Sequence, residues 1–358
     1  MNGKMAAVRK QLHKLGAASI SSQQYRETVI TQLREAVAFD AACFTAVDPS
    51  TLLSTGAISE DNVEAIHQQL FEYEYLHEDF NKYEWLALSA DSVATLNAAT
   101  EGLLERSGRY RNVLQPAGFE DELRAALMSD GSCWGYLTLF RTYGKPPFQE
   151  EERAFVSSIS PLLAKALQKS TLALPKVDVN GMKEETGIMI LSDLLIPVSF
   201  NSVARDWLTM LRAWEQVDNQ TLPRPIRAVC SRALAEASFP DQQSTMAKIC
   251  IRIPDGAYLS LQASRLEGPA GITQLAVTFQ PARPSEILPL ITEAYALSAR
   301  ERQIVDGIFH GLSTKELAES LHLSTYTVQD HLKSIFTKTA VKSRRELIWL
   351  LFSRYNHA

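Results

Sequence analysis

The chain has 358 residues, 46 % of them hydrophobic and 22 % charged. At roughly 100–200 residues per domain, this length excludes one compact domain, and the composition excludes wholesale disorder. Thirty-six Lys and Arg against 41 Asp and Glu leave −5 at pH 7, a balance that taken whole argues mildly against a nucleic-acid binder.

In chain order, the opening MNGKMAAVRKQLHKLGAAS is charged throughout and lacks the apolar run of a secretory signal. Tyr25, Val29, Ile30, Leu33 and Val37 recur at helical spacing. AACFTAVDP reads as a strand ending in a turn, and His67–Leu86 as an aromatic-rich helical stretch. Glu120–Met128, the turn Asp130-Gly131 and the alternating run CWGYLTLFR follow, before a helix over Phe148–Leu167. A polar stretch after Leu174-Pro175 reads as a linker. The second block opens with the strand GIMILSD and continues with helices near Asn201–Leu211 and Arg224–Ala237. Three strand-like runs then suggest an α+β unit with one antiparallel sheet. Pro281, Pro284 and Pro289 mark a semi-rigid connector of little periodicity. The expected domains are therefore 1–172, 183–282, a linker over 283–296, and 297–358.

The last block is all helix. Ser298…Glu301, Ser313…Glu316 and Ser343…Glu346 have the spacing in which a serine hydroxyl caps a helix and a glutamate reaches back to the cap amide. Ser324 supplies a further cap, and Gly311 ends the first helix. Apolar stripes predict four short helices, with Val328, Leu332, Ile335 and Phe336 on the inner face of the third. Its other face carries Thr325, Tyr326, Gln329, Asp330, Lys333 and Thr337. Only His322-Leu323-Ser324 separates the second and third helices, which is helix-turn-helix spacing. Residues 297–358 hold nine basic and six acidic residues, +3, leaving −8 for the rest.

This segment closely resembles the LuxR-type helix-turn-helix. The opening LSARE, Lys315–Ala318, Ser324-x-x-Thr327-Val328, His331, Lys338 and Val341-x-Ser343-Arg344 all match it. The resemblance implies a sequence-specific, DNA-binding transcriptional regulator with helix Thr325–Lys338 in the major groove. It assigns Gln329, Asp330 and Lys333 to base edges, and Ser324, Thr325, Thr327, Lys338, Ser343 and Arg344 to phosphates. It also suggests an ion pair between Glu301 and Arg344. Two departures stand out: Gln329 where Lys or Arg is usual, and Thr339-Ala340 in place of Leu-Gly.

Trp134–Arg141 and the Pro146–Phe148 entry into the next helix resemble a GAF-type sensor, and the second block is similar to a PAS-like domain. The expected fold class is a multi-domain α+β sensor region, with GAF-like and PAS-like antiparallel sheets and helices, plus a C-terminal all-α four-helix reader. Sensors of these kinds bind small molecules or dimerise. Candidate pocket residues are Phe44, Tyr73, Tyr75, Tyr83, Trp85, Tyr110, Trp134 and Tyr136, each equally readable as ordinary core.

The expected partners are double-stranded DNA, a second copy of the chain, a candidate small-molecule effector and, as a further candidate, RNA polymerase. The stretches Tyr25–Val37, Phe155–Leu167 and Leu347–Leu351 read either as dimer surfaces or as intradomain core. Rival readings are a ligand-independent dimeric regulator and an interaction scaffold with an inert reader. No catalytic motif, phosphoacceptor pair or nucleotide loop is present, so no enzyme activity is expected. The four scattered cysteines and the lack of any bilayer-length apolar run lead us to expect a cytoplasmic protein with no metal, cofactor or membrane.

Overall fold

Helix α1 (Gly3–Leu15) and helix α2 (Ser22–Leu33) lead into a five-stranded antiparallel sheet. The computed structural model describes residues 3–18, 20–172, 185–238, 246–253, 256–268 and 271–353. The expected linker beyond Leu172 lies outside the described residues as far as residue 184. The first unit continues with β1 (Ala41–Val47), β2 (Ser54–Ser59), α3 (Asp61–Glu64), α4 (His67–Tyr75) and α5 (Tyr83–Leu88). It closes with β3 (Val93–Thr95), α6 (Leu96–Ala99), β4 (Phe119–Ser129), β5 (Ser132–Thr142) and α7 (Glu150–Thr171). The aromatic stretch read as one helix over His67–Leu86 is thus two, α4 and α5.

Strand order in this sheet is β2-β1-β5-β4-β3. The β4–β5 hairpin turns on Asp130 and Gly131, both at positive φ (51° and 83°), the handedness that matches strand twist in two-residue loops. One face of the sheet carries Phe44, Leu123, Leu127, Leu137 and Leu139 against α2 and α7. Helix α7 contributes Phe155, Ile159, Leu163 and Leu167, each worth roughly 1.5–3 kcal/mol of burial before ordering costs. Gly135 lets α7 approach, since a Cβ there would sit 2.6 Å from both Leu167 Cδ1 and the Thr45 carbonyl. Tyr25, Val29, Ile30, Leu33 and Val37, then Phe155, Ile159, Leu163 and Leu167, and Leu347 with Leu351 lie in core clusters, whereas Trp349 is 70 % exposed.

The second unit comprises β6 (Gly187–Ser192), β7 (Pro197–Phe200), α8 (Ser202–Glu215), α9 (Arg224–Ser238), β8 (Lys248–Arg252), β9 (Tyr258–Glu267) and β10 (Thr273–Pro281). Its sheet runs β7-β6-β10-β9-β8, the same order as the first sheet. The two units are not independent. Leu53 and Phe71 of the first lie in the second unit's core. Arg224 and Arg227 on α9 both bond Glu64, and Arg224 also reaches Ser59 Oγ at 2.6 Å.

Residues 284–294, expected to be a connector, form helix α10 (Pro284–Ala294). Pro284 sits at its first turn, where a missing N–H costs nothing, and Ile287, Leu288 and Ile291 form a buried stripe. Helices α11 (Ala299–Phe309), α12 (Thr314–Ser320), α13 (Thr325–Thr339) and α14 (Arg344–Ser353) complete the chain. The stripe of α10 joins their core, together with Cys250 and Tyr258 of the second unit. Glu293 bridges the layers, bonding Ser132 of the first sheet and Arg302 of α11.

Candidate nucleic-acid interface

Each helix start in the reader is fixed locally. The hydroxyls of Ser298, Ser313 and Ser324 accept from the amides of Glu301, Glu316 and Thr327. Glu301 and Glu316 reach back to their cap amides at 2.7 Å. At the third site the pattern differs: Ser343 accepts from the Glu346 amide, but the Glu346 carboxylate accepts from Lys342, one residue earlier.

The turn between α12 and α13 closes through the Leu323 amide, which donates to the Ala318 carbonyl at 2.8 Å, with His322 at φ 54°. Residues outside glycine adopt this left-handed conformation at a cost. Gly307 on α11 provides the close approach to α12, because any side chain there would collide with Leu317.

Helix α13 buries Val328, Leu332 and Ile335. Gln329, Asp330 and Lys333 are all exposed, as are Thr325 and Thr337. Lys333 Nζ lies 3.0 Å from Asp330 Oδ1, but both side chains are about three-quarters exposed, and such a pair contributes little stability. Tyr326 is 79 % exposed on the same helix. Its position on the polar face was visible in the sequence, but the match to the family gave it no role.

The phosphate candidates separate. Thr325 is exposed, and Thr327 is half-buried. The Ser324 hydroxyl caps α13 and lies 2.9 Å from Thr327 Oγ1. Lys338 donates to Glu301 Oε2 at 2.6 Å and to the Ala296 carbonyl at 3.0 Å. Arg344 donates to the Leu312 carbonyl. The expected Glu301–Arg344 pair is therefore replaced by Glu301–Lys338, for Arg344 is held at the loop between α11 and α12. Glu301 also accepts from Ser334 Oγ at 2.6 Å. Burial alone would raise this carboxyl, but the hydrogen bonds from Lys338, Ser334 and the Ser298 amide outweigh it and hold the pKa at about 2. Lys342 and Arg345 are exposed beside Ser343.

The candidate sensor aromatics do not share one pocket. Phe44 lies in the core under α2, with its ring edge toward Tyr25. Tyr83 and Tyr136 stack on the opposite face of the sheet at 3.9 Å, and Tyr110 belongs to a separate cluster on that side. Tyr75 packs toward the second unit, Tyr73 bonds Asn112 at 2.5 Å, and Trp85 is half-exposed. Between the sheet and α4–α5, Arg109, wholly buried, bonds Glu122 and the Phe80 carbonyl, while Arg124 bonds Glu74 at 2.9 Å. The four cysteines are buried and free, and burial pushes the Cys133 thiol up to about 12. Among the described residues there is no metal-ligating cluster, and no helix is long and apolar enough to cross a membrane.

Residues 295–351 match the model for bacterial regulatory proteins of the luxR family, and residues 24–167 match the GAF domain. The chain therefore carries a LuxR-type helix-turn-helix behind a GAF domain. The monoamine regulon transcriptional regulator of Klebsiella aerogenes is 46 % identical over 52 residues, 14 % of this chain and 23 % of the relative. The CsgBAC operon transcriptional regulatory protein of Escherichia coli is 40 % identical over 57 residues, 16 % and 26 % of the two chains. The chain thus spans only about a quarter of the length of these relatives. Among solved structures, Escherichia coli SdiA is similar at 11 % identity, covering 98 % of this chain and 97 % of that one, with a TM-score of 0.31. A Vibrio cholerae VqmA–ligand–DNA complex is similar at 17 % identity, covering 49 % and 85 %, with a TM-score of 0.23.

Proposed function

We propose that the protein is a sequence-specific DNA-binding transcription regulator acting in the cytoplasm as a homodimer, with α13 in the major groove. In this reading, binding of a small molecule or partner in the N-terminal half sets the state of the reader. The observation that carries it is the division of α13. Val328, Leu332 and Ile335 fix the helix, while Gln329, Asp330 and Lys333 stand exposed together behind a tight turn. Gln329 is suited to adenine N6/N7, and Asp330 to cytosine N4. In this reading Thr325, Ser343, Lys342 and Arg345 contact the flanking phosphates; Thr325, Lys342 and Arg345 are exposed. Tyr326 offers an apolar contact to a thymine methyl. Lys338 acts chiefly by holding the helices in place, since it donates to Glu301 and the Ala296 carbonyl, while Arg344 anchors one nitrogen on the Leu312 carbonyl and keeps further donors for phosphate. The shared strand order of the two sheets supports a PAS-like reading of the second unit, 183–282.

The test is DNA-binding anisotropy of the full chain across a salt series. Removing one phosphate contact, by Lys342→Ala or Arg345→Ala, should weaken binding to all sequences and shallow the log–log salt slope by about one unit. No salt-dependent binding to any duplex would favour the scaffold reading with an inert reader.

A further inference from the structure

Each sheet ends in two edge strands, β2 and β3 in the first and β7 and β8 in the second. An edge strand turns every other backbone N–H and C=O away from its neighbour, and proteins cover or blunt such edges. Three of the four are covered from within the chain. Arg224 donates to the Ala57 carbonyl of β2. Arg153 and Asn81 donate to the Val93 and Thr95 carbonyls of β3, at 3.2 and 3.1 Å. The Cys250 amide of β8 donates to Asp48 of the first unit.

Strand β7 differs. Among the described residues it pairs with β6 alone, and all four of its residues are exposed. The Asn201 amide donates to the Ile188 carbonyl at 3.1 Å, which fixes the alternation of the ladder. Asn201 and Ser199 face β6, so Val198 and Phe200 turn their N–H and C=O outward. The edge is blunted only at its start, where Pro197 lacks an N–H and the register shifts between Ile190 and Leu191. No charged residue lies between Asp193 and Arg205, so the charges that usually guard an edge are missing. Leu194, Ile196 and Val198 are 76, 58 and 57 % exposed, with Ile188 and Phe200 exposed beside them. Together these side chains present on the order of 500 Å² of apolar surface, so two copies would remove about 1,000 Å², the burial at which an interface reaches biological size.

We propose that β7 is the surface on which a second copy of the chain docks, the two strands pairing antiparallel about a twofold axis at Ser199. The proposal rests on the homodimer of the reading above and gives it an interface. Val198 of one protomer and the partner's Phe200 form a hydrogen-bonded pair, and the axis repeats it, so the outward groups of both strands are satisfied. Ser199 meets its own copy in the intervening pair, where Cα atoms approach to about 4.5 Å and side chains lie closest. It is small and uncharged, so nothing repels the copy there. A twofold contact closes at two chains, and it has the symmetry of paired half-sites on DNA.

Sedimentation velocity of the full chain without DNA, over a concentration series, should show a monomer–dimer equilibrium. Ser199→Lys sets two ammonium groups face to face and should raise the dissociation constant about tenfold or more, with the melting temperature unchanged at this exposed position. Ser199→Cys should give a disulfide-linked dimer in oxidised glutathione, because the separation at the axis suits the bond. Ser264→Cys, exposed on β9 of the same sheet, should not link, and neither should wild type, whose four cysteines are buried. An unchanged dissociation constant in Ser199→Lys, or linkage no faster in Ser199→Cys than in Ser264→Cys, overturns the β7 interface and leaves the homodimer to another surface. A chain that stays monomeric throughout also overturns it, and takes the homodimer reading with it only if the DNA motif the chain selects lacks twofold symmetry.

Discussion

Ala340 ends the recognition helix at φ 56°, ψ 33°, in the left-handed region, and is exposed there. The Val341 amide closes the helix by donating to the Phe336 carbonyl at 3.1 Å. A non-glycine residue in that conformation costs roughly 1–2 kcal/mol. Glycine removes the cost but loses about 0.5–1 kcal/mol more chain entropy on folding. Ala340→Gly should therefore stabilise the reader by a net of about 0.5–1 kcal/mol. Ala340→Val, β-branched at the same φ, should destabilise it by more than 1 kcal/mol, on the order of the left-handed penalty. Hydrogen exchange of the full chain, followed by mass spectrometry on peptides covering 325–339, reads this locally. The glycine variant should slow exchange by about two- to fivefold, and the valine variant should speed it. Exchange that is unchanged or faster in Ala340→Gly would mean that residue 340 is not left-handed and that α13 ends otherwise.

Glu301 titrates at about 2 in the fold against its ordinary 4.5. Its contribution to stability is therefore complete above pH 4.5 and is lost as pH falls toward 2, up to about 3 kcal/mol in all. Urea titrations of wild type and Glu301→Gln should differ most at pH 5–7 and converge by pH 2; a constant difference refutes the assignment. Arg109 is wholly buried, with Glu122 bonded to it and Asp79 4.0 Å away. Arg109→Met takes the cation from Asp79 and leaves Glu122 with Arg124 alone, 3.3 Å away, and should cost about 3–5 kcal/mol, seen as a large fall in the urea midpoint. A fall below about 1 kcal/mol would place water in that cluster.

The reader was legible in sequence because its signals are local. Serine caps, Gly311 and the 3.6-residue stripes act within one turn of helix, and all of them appear in the structure. What failed there was long-range. Nothing in the spacing says whether Glu301 meets Lys338 or Arg344, since both are cations within reach of the first helix. The connector was misread because its prolines masked the stripe Ile287, Leu288 and Ile291, and because proline at a first turn is helix-compatible. In the sensor half, β4, β5 and α7 were plain from alternation and helical spacing. Short β3 was not, and neither was the repeated strand order of the two sheets, because topology is set by pairings such as Phe44↔Leu137 that are remote in sequence. Of the aromatics read as pocket or core, Phe44, Tyr83, Tyr110, Trp134 and Tyr136 are buried, and Trp85 is half-exposed. Only Trp134 among them lines a cavity between the first unit, the second unit and α10, whose walls come from segments remote in sequence.

The central claim is that the exposed face of α13 reads sequence. Selection of bound duplexes from a random pool by the full chain, beside its Gln329→Ala variant, tests it directly. The account predicts an enriched motif with twofold symmetry, and loss of preference at one base per half-site in the variant. No enrichment, or the same motif from both proteins, would contradict it.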